Sequence, residues 1–558
     1  MKTKTDLKQK LKQIDHKSYK LYKDLKGVYQ MDRFLLAIDH VQGDPFATPS
    51  RVRVIVDNET NFPAHLFDKR VKKIALEDYL LRGVHQFLRS SSGKSGGRTG
   101  SGKSGLITIC PVGQEVLERT AVLIGKKQIE VRMEIGFPAF GRTIASAGLE
   151  QIFFEKLPRL VQQVFSYEAQ QHAKIKKVLA LAEDQHAIRT ELEHRNLVAF
   201  VADDSILPRE SGVSARPLKN AVPFHSPESM AVTLTLPHSG EMRGMGIPKG
   251  VTLIAGGGYH GKSTLLKALV SGVYNHIAGD GREYVVTIDD AVKIRAEEGR
   301  CIHGEDISLF INHLPSRTDT TCFVTENASG STSQAANTVE ALSLGSRLLL
   351  IDEDTSATNF MVRDEKMARL VPASSEPITP FIQCIQSLSA DCGVSSILVV
   401  GSSGEYLSVA DRVVQMDCYE AKDVSARARE LASPYQGISV KLSPFIKKQV
   451  RGMQIEKVKA QGEDSVLLDK ERIDLRYFDQ LTDSGQTAAL AYLMQYALEH
   501  FTEKSGSRRT ALDIADLLYK KIEQDGFLSV IPSYYGTGAP VLPRKAEFLF
   551  CMLRYRKL

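Results

Sequence analysis

Several things are missing from this chain, and each absence closes off a class of protein. No stretch approaches the roughly 18 consecutive apolar residues of a membrane-spanning helix, so no membrane partner is expected. The N-terminus is rich in lysine but lacks the apolar core of a secretory signal. Cysteine is sparse: the seven residues, at 110, 301, 322, 384, 392, 418 and 551, are scattered, odd in number and form no C-x-x-C pair. That excludes a disulfide framework and a zinc site, and the cytoplasm is the expected compartment. There is no internal repeat, no long acidic tract, and no RRM, KH or zinc-finger pattern. What is present, 42% hydrophobic and 25% charged residues over 558 positions, is ordinary globular composition with material for two to four domains.

Charge is unevenly placed. Residues 1–105 carry 21 basic and 11 acidic side chains, so the remainder is slightly acidic although the whole chain is at +6. Such a bias suits an N-terminal part facing a polyanion, RNA or DNA; a solvated helix face with a solubilising loop would give the same count. Nine lysines in residues 1–26, with Leu7, Leu11, Ile14, Leu21 and Leu25 near heptad spacing, read as a basic amphipathic helix or coiled-coil arm. Pro208, Gly212, Pro217, Pro223 and Pro227 mark 203–228 as a linker. The expected organisation is a basic α+β domain at 1–202, an α/β domain with a mainly parallel sheet at 229–433, and an α-rich domain at 434–558.

The most informative segment is Gly256-Gly257-Gly258-Tyr259-His260-Gly261-Lys262-Ser263-Thr264. It fits G-x-x-x-x-G-K-[ST], follows the apolar run Val251–Ala255, and precedes Leu265, Leu266, Leu269 and Val270 at helical spacing. Strand, glycine loop and helix N-terminus aim several backbone N–H groups and a positive helix end at one phosphate. Lys262 would reach the β- and γ-phosphates of ATP, and the Ser263 hydroxyl would join the Mg²⁺ shell. A second match, Gly97 to Ser104, lacks that context. No buried strand leads into it, and Leu106-Ile107-Thr108-Ile109 after it reads as a strand, so it is expected to be a flexible basic loop. Its Lys94, Arg98 and Lys103 are candidate nucleic-acid contacts.

Downstream, Leu348–Ile351 is an apolar strand ending in Asp352-Glu353. Asp352 is placed to hold Mg²⁺ through water, and Glu353 to polarise the attacking water. Ser329, Gly330 and Ser331 form a small turn ahead of a helix, a second anion site, 23 residues before Asp352. Asp354-Thr355-Ser356-Ala357 follows Glu353. This order resembles P-loop, signature, Walker B and D-loop in ABC-type ATPases. With Val41–Ala47, Gly246–Gly250, Tyr274–Arg282, Asp306–Ser308 and Glu376–Pro380, the chain is similar over most of its length to the predicted ABC-class ATPases, a family of soluble, mostly bacterial proteins.

The resemblance implies an α/β fold: an ABC-type P-loop NTPase core flanked by an α+β N-terminal and an α-rich C-terminal domain. It also implies ATP and Mg²⁺ as ligands and a head-to-tail homodimer in which Ser329 and Gly330 close on the partner's P-loop. Three departures stand out. No glutamine lies between the P-loop and Ser329, Gly401-Ser402-Ser403-Gly404 stands where a switch histidine is expected, and no aromatic residue occurs at 226–255 to stack on adenine. They point to slow turnover and weak base selectivity. An ATP-dependent protein-interaction switch, docking through the basic arm, is the alternative to a nucleic-acid role.

Overall fold

The computed structural model describes residues 1–91, 100–363, 365–372, 375–446, 449–502, 509–531 and 538–558. Contacts divide the chain into two compact units, one of residues 1–183 with 527–542, the other of 184–526 with 543–558.

The first unit is built on a seven-stranded sheet whose centre is Ser50–Asp57, paired antiparallel with Leu35–His40 and Gln128–Ile135. Val52, Val54 and Val56 are buried on one face, the period-two pattern of a strand with one face in a core. On the other face Arg53 bridges Asp39 and Glu130 across the three strands. The helix Lys4–Ile14 starts at a capping box in which Thr3 and Asp6 satisfy each other's backbone N–H groups. Its Leu7, Leu11 and Ile14 are buried, and it packs on the helix Ser146–Gln151. The expected amphipathic helix is present but ends at Ile14, with Leu21 and Leu25 in a separate 3₁₀ segment, Tyr19–Leu25, and its stripe is not free for a coiled coil. The apolar stripe is used up inside its own unit, while Lys8, Lys12, Lys17 and Lys20 face solvent.

The second unit carries a six-stranded sheet in the order 292–294, 348–352, 395–399, 251–255, 412–417, 420–423. The first five strands are parallel and the last is an antiparallel edge. Near-continuous apolar runs such as Leu348–Ile351 are buried throughout, as strands covered on both faces must be. Val251, Leu253, Leu349 and Ile351 share one core with Ala335, Val339, Phe381 and Ile385 from the helices Gly330–Leu344 and Phe381–Ala390.

Two sequence boundaries move. Leu197–Ala202, assigned to the N-terminal domain, is fully buried in a four-stranded antiparallel sheet with Ala231–Leu236, Gly240–Pro248 and Val285–Thr287 of the second unit. The 203–228 stretch is no free linker either. Leu207 and Phe224 are buried, and Arg209 bonds the carbonyl and carboxylate of Asp280. A short hairpin, Arg209–Ser211 with Ser214–Pro217, two apolar anchors and one ion pair tie it down.

The helices Ser484–His500, Ala511–Asp525 and Lys545–Leu553, with the meander 458–461, 465–468 and 471–474, belong to the second unit. Arg554, near the end of the chain, is buried. It donates to Glu297 at 2.7 Å and Asn337 at 3.0 Å, beside Arg300 and Glu340. Burial raises the Glu297 carboxyl, but Arg554 and Arg300 outweigh it and hold the group below its ordinary range. No helix of the described residues is long and apolar enough to cross a membrane.

Candidate functional site

The strand Val251–Ala255 delivers the chain into the glycine loop, and the helix Lys262–Ser271 leaves it. Gly256 sits at φ +140°, where a Cβ would lie 2.3 Å from the Met416 carbonyl oxygen. Gly261, the N-cap, is at φ +100°. Both positions demand glycine. Among the described residues, none accepts a hydrogen bond from the backbone N–H groups of Gly258 through Ser263. The loop is therefore a set of converging donors at a positive helix end, the arrangement that binds phosphate. Lys262 folds back over it, its ammonium 2.7 Å from the Gly256 carbonyl and 2.8 Å from that of Gly257.

His260 turns away from the loop's centre. Its Nδ1 accepts the Cys418 N–H at 3.0 Å, and its carbonyl accepts the Tyr419 N–H at 3.2 Å. The residue thus pins the loop to the hairpin joining Arg412–Asp417 to Glu420–Asp423. Tyr259 is fully exposed at φ 64°, and Thr264 lies in the first helical turn.

Asp352 and Glu353 end the strand Leu348–Asp352, on the same carboxyl edge of the parallel sheet as the loop. The strand Ser395–Val399 stands between them, so the acidic strand is next but one to the loop strand. The peptide leaving that intervening strand is 401–404, the segment that lacks a histidine. It holds Glu353 instead. The carboxylate accepts the Gly401 N–H at 2.5 Å, the Ser402 N–H at 3.1 Å and the Ser402 hydroxyl at 2.7 Å. Burial pushes the Glu353 carboxyl up, but these donors outweigh it and keep it below its usual range, ionised at neutral pH. Ser402 escaped sequence analysis because its partner lies 49 residues away.

Asp352 is buried, and its carboxylate accepts only the Asp354 N–H, at 3.3 Å, among the described residues. The Ser263 hydroxyl makes no hydrogen bond there. Two hard oxygen donors with spare lone pairs fit Mg²⁺, which takes few protein ligands and keeps its waters. Lys293, on the strand Val292–Ile294, was also missed. Burial pushes its ammonium down to about 8, with Asp352 and Asp479 pulling the other way.

Ser329 caps the 15-residue helix Gly330–Leu344, its hydroxyl accepting the Thr332 N–H, while Ser331 is buried. Fully buried Gln334 ties that helix to the segment after Glu353. It donates to the Ser356 hydroxyl at 3.0 Å and accepts the Ala357 N–H at 2.8 Å. None of the hydrogen bonds of the described residues joins Ser329–Ser331 to Gly256–Thr264.

The second glycine-lysine match differs in kind. Lys94 and Arg98 lie outside the described residues. Gly100 to Gly105 is not the loose loop expected: the Lys103 N–H donates to Pro45 at 2.8 Å, the Gly105 N–H to Gly136 at 2.8 Å, and the Ser104 hydroxyl to Ser101. No helix follows it, as expected.

The family models that match the chain agree with this geometry. Residues 171–451 match the model of the ABC ATPase P-loop domain, residues 4–168 that of the N-terminal domain of ATPases of the ABC class, and residues 457–558 the MRB1590 C-terminal domain. An uncharacterized protein, MJ1628, of Methanocaldococcus jannaschii is 30% identical over 278 residues. The match spans 46% of this chain and 60% of that relative. Among solved structures, the ADP conformation of MJ1267, an ATP-binding cassette of an ABC transporter, aligns with 34% of this chain and 87% of its own at 11% identity, with a TM-score of 0.23.

Proposed function

The chain belongs to the ABC-class ATPases, and from that premise we propose that it is a slow, Mg²⁺-dependent ATPase acting as a homodimer on nucleic acid, with RNA the favoured polymer. One observation carries the catalytic part: the open donors of Gly258–Ser263 share a sheet edge with an ionised Glu353. The loop N–H groups and Lys262 hold the triphosphate. Ser263 and Asp352 would hold Mg²⁺, which supplies charge neutralisation on the phosphates. Glu353 orients the attacking water and takes its proton at a carboxylate oxygen. Slow turnover is supported by the clasp: Gly401 and Ser402 occupy three of the carboxylate's roughly four acceptor sites and lower its basicity toward a water.

The dimer rests on the separation of Ser329–Ser331 from the glycine loop within one chain. The helix start is exposed at Ser329, and a two-fold partner satisfies both surfaces at once. Light scattering of Glu353→Gln with ATP should report a dimer; a strict monomer at micromolar concentration removes this part of the reading.

The nucleic-acid part rests on the charge surplus of residues 1–105 and the outward lysines of the helix Lys4–Ile14. The buried stripe Leu7-Leu11-Ile14 leaves that helix no apolar face for a protein partner, so the docking-switch reading loses its motif. Phosphate contacts from Lys94, Arg98 and Lys103 need only their charge, so binding should be sequence-tolerant and steeply salt-dependent. Filter binding of single- and double-stranded RNA and DNA at two salt concentrations tests it. Replacing Lys94, Arg98 and Lys103 together by Ala should lower affinity and flatten the salt slope. No retention at low salt, with or without ATP, returns the protein-switch reading.

A further inference from the structure

A cleft of about 290 Å³ opens directly beside the glycine loop, near the lower end of the roughly 300–1,000 Å³ typical of small-molecule sites. Gly261 and Thr264, where the loop becomes helix, form its inner end. Its floor includes the buried Met416, Leu207 and Phe224. Its two lips are Tyr419, from the hairpin after the 412–417 strand, and Leu218 with Val222, from the proline-rich stretch. These three are 54%, 40% and 47% exposed, apolar groups gathered at one rim.

We propose that this cleft is the nucleobase pocket of the chain, that it takes a purine, and that Tyr419 is its stacking residue. The inference rests on the phosphate-site reading of the glycine loop. A nucleotide whose phosphates lie on the Gly258–Ser263 donors must direct its nucleoside away from the loop along the first helical turn. Gly261 and Thr264 of that segment line the cleft, so the pocket adjoins the phosphate site.

The construction of the hairpin supports the assignment. Cys418 and Tyr419 both have positive φ, 50° and 74°, a two-residue turn that usually calls for Asn or Gly. A bulky tyrosine in that conformation is strained, and such strain is retained where a site needs a side chain in one place. Here it sets the ring against Gly261, whose added Cβ would lie 3.2 Å from the ring. The hairpin cannot drift, because the Cys418 and Tyr419 N–H groups are both bonded to His260 of the glycine loop. The stacking aromatic that is missing upstream of the loop is thus supplied by Tyr419, far downstream of it in the chain.

Among the described lining residues there is no carboxylate, and Asn220, Thr264 and Tyr419 are the only polar side chains. Guanine N–H groups have no acid to meet, so the pocket selects by stacking area and not by base edge. ATP and GTP should bind within a few-fold of each other, and CTP and UTP more weakly.

Calorimetric titration of the full chain with ATP, GTP, CTP and inorganic tripolyphosphate, each with Mg²⁺, tests this. Tyr419→Asn is the decisive variant, because Asn tolerates positive φ and leaves the hairpin intact; a thermal melt checks that. It should weaken ATP and GTP about ten-fold or more, within the range for loss of one base stack, while tripolyphosphate binds as to the parent. Tyr419→Phe should bind like the parent, and Leu218→Asn should weaken ATP several-fold. Lys262→Ala should weaken ATP and tripolyphosphate together. If Tyr419→Asn and Leu218→Asn hold ATP as tightly as the parent, or if the parent binds tripolyphosphate as tightly as ATP, the base pocket is overturned while the phosphate site stands. A parent that binds neither ligand overturns both.

Discussion

Two segments of this chain match one glycine-lysine pattern, and they differ in where their backbone donors go. Around Lys103 the N–H groups of Ser101, Lys103 and Gly105 are spent on Ala139, Pro45 and Gly136, which build a tight turn against neighbouring backbone. Around Lys262 the chain enters a ten-residue helix, and the donors of Gly258 to Ser263 are left unspent at its positive end. Composition is nearly the same in both. A phosphate site is a matter of unsatisfied donors held rigid, and glycine supplies the freedom for either outcome.

The largest expected effect tests what stands opposite the open loop. Glu353→Gln should lower ATP turnover by about 10²–10⁴-fold, the usual contribution of a general base, with ATP affinity within two-fold of the parent. Parental turnover in that variant removes Glu353 from the chemistry. Next, Lys262→Ala should weaken ATP binding by about 100-fold, a loss of some 2.7 kcal/mol, whereas Lys103→Ala should leave it unchanged. An equal loss at Lys103 would erase the distinction between the two loops.

A third test attacks the closed turn alone. A Cβ at Gly136 would lie 1.8 Å from the Lys103 carbonyl oxygen, so Gly136→Ala should destabilise its unit by roughly 1–3 kcal/mol. Urea melts should show that loss while ATP affinity stays put.

The smallest effect concerns the helix Arg70–Ser91, which leads the chain toward that turn. Its Glu77 is buried and accepts the Ile124 N–H at 2.8 Å; burial pushes its carboxyl up to about 8. The unfolded chain loses this proton near its ordinary value of about 4.3 and the folded chain only near 8, so stability falls as pH rises between the two. Glu77→Gln should match the parent near pH 4 and melt higher than it at pH 8–9. Parallel melting curves at both pH values would contradict the assignment.

What could be read from the sequence follows the range of each interaction. The glycine loop, the Asp352-Glu353 strand end and the Ser329 cap are local: a few contiguous residues contain the geometry, and the parallel α/β sheet is announced by its apolar runs. The clasp of Ser402 on Glu353 depends on strand order, which no run of residues displays. The stripe Leu7-Leu11-Ile14 announced an amphipathic helix, but periodicity does not say whether the partner is another chain or the helix's own unit. The 203–228 stretch looked like linker because prolines dominate its composition, while Leu207, Phe224 and Arg209 decide its placement. The burial of Arg554 is likewise out of reach, because its carboxylate partners lie more than 200 residues away.

Arg554 also puts a clock on synthesis. Glu297 and Glu340 are buried, and Arg554 reaches back across 257 and 214 positions to neutralise them together with Arg300. At roughly 5–20 residues per second a ribosome needs about 10–50 s to make that interval. Until then the helix that carries Ser329 is assembled around excess negative charge in a low-dielectric setting, which is costly to bury. The core of a half-made chain is therefore expected to be less stable than that of the finished one, and to tighten once the late segment has emerged and docked.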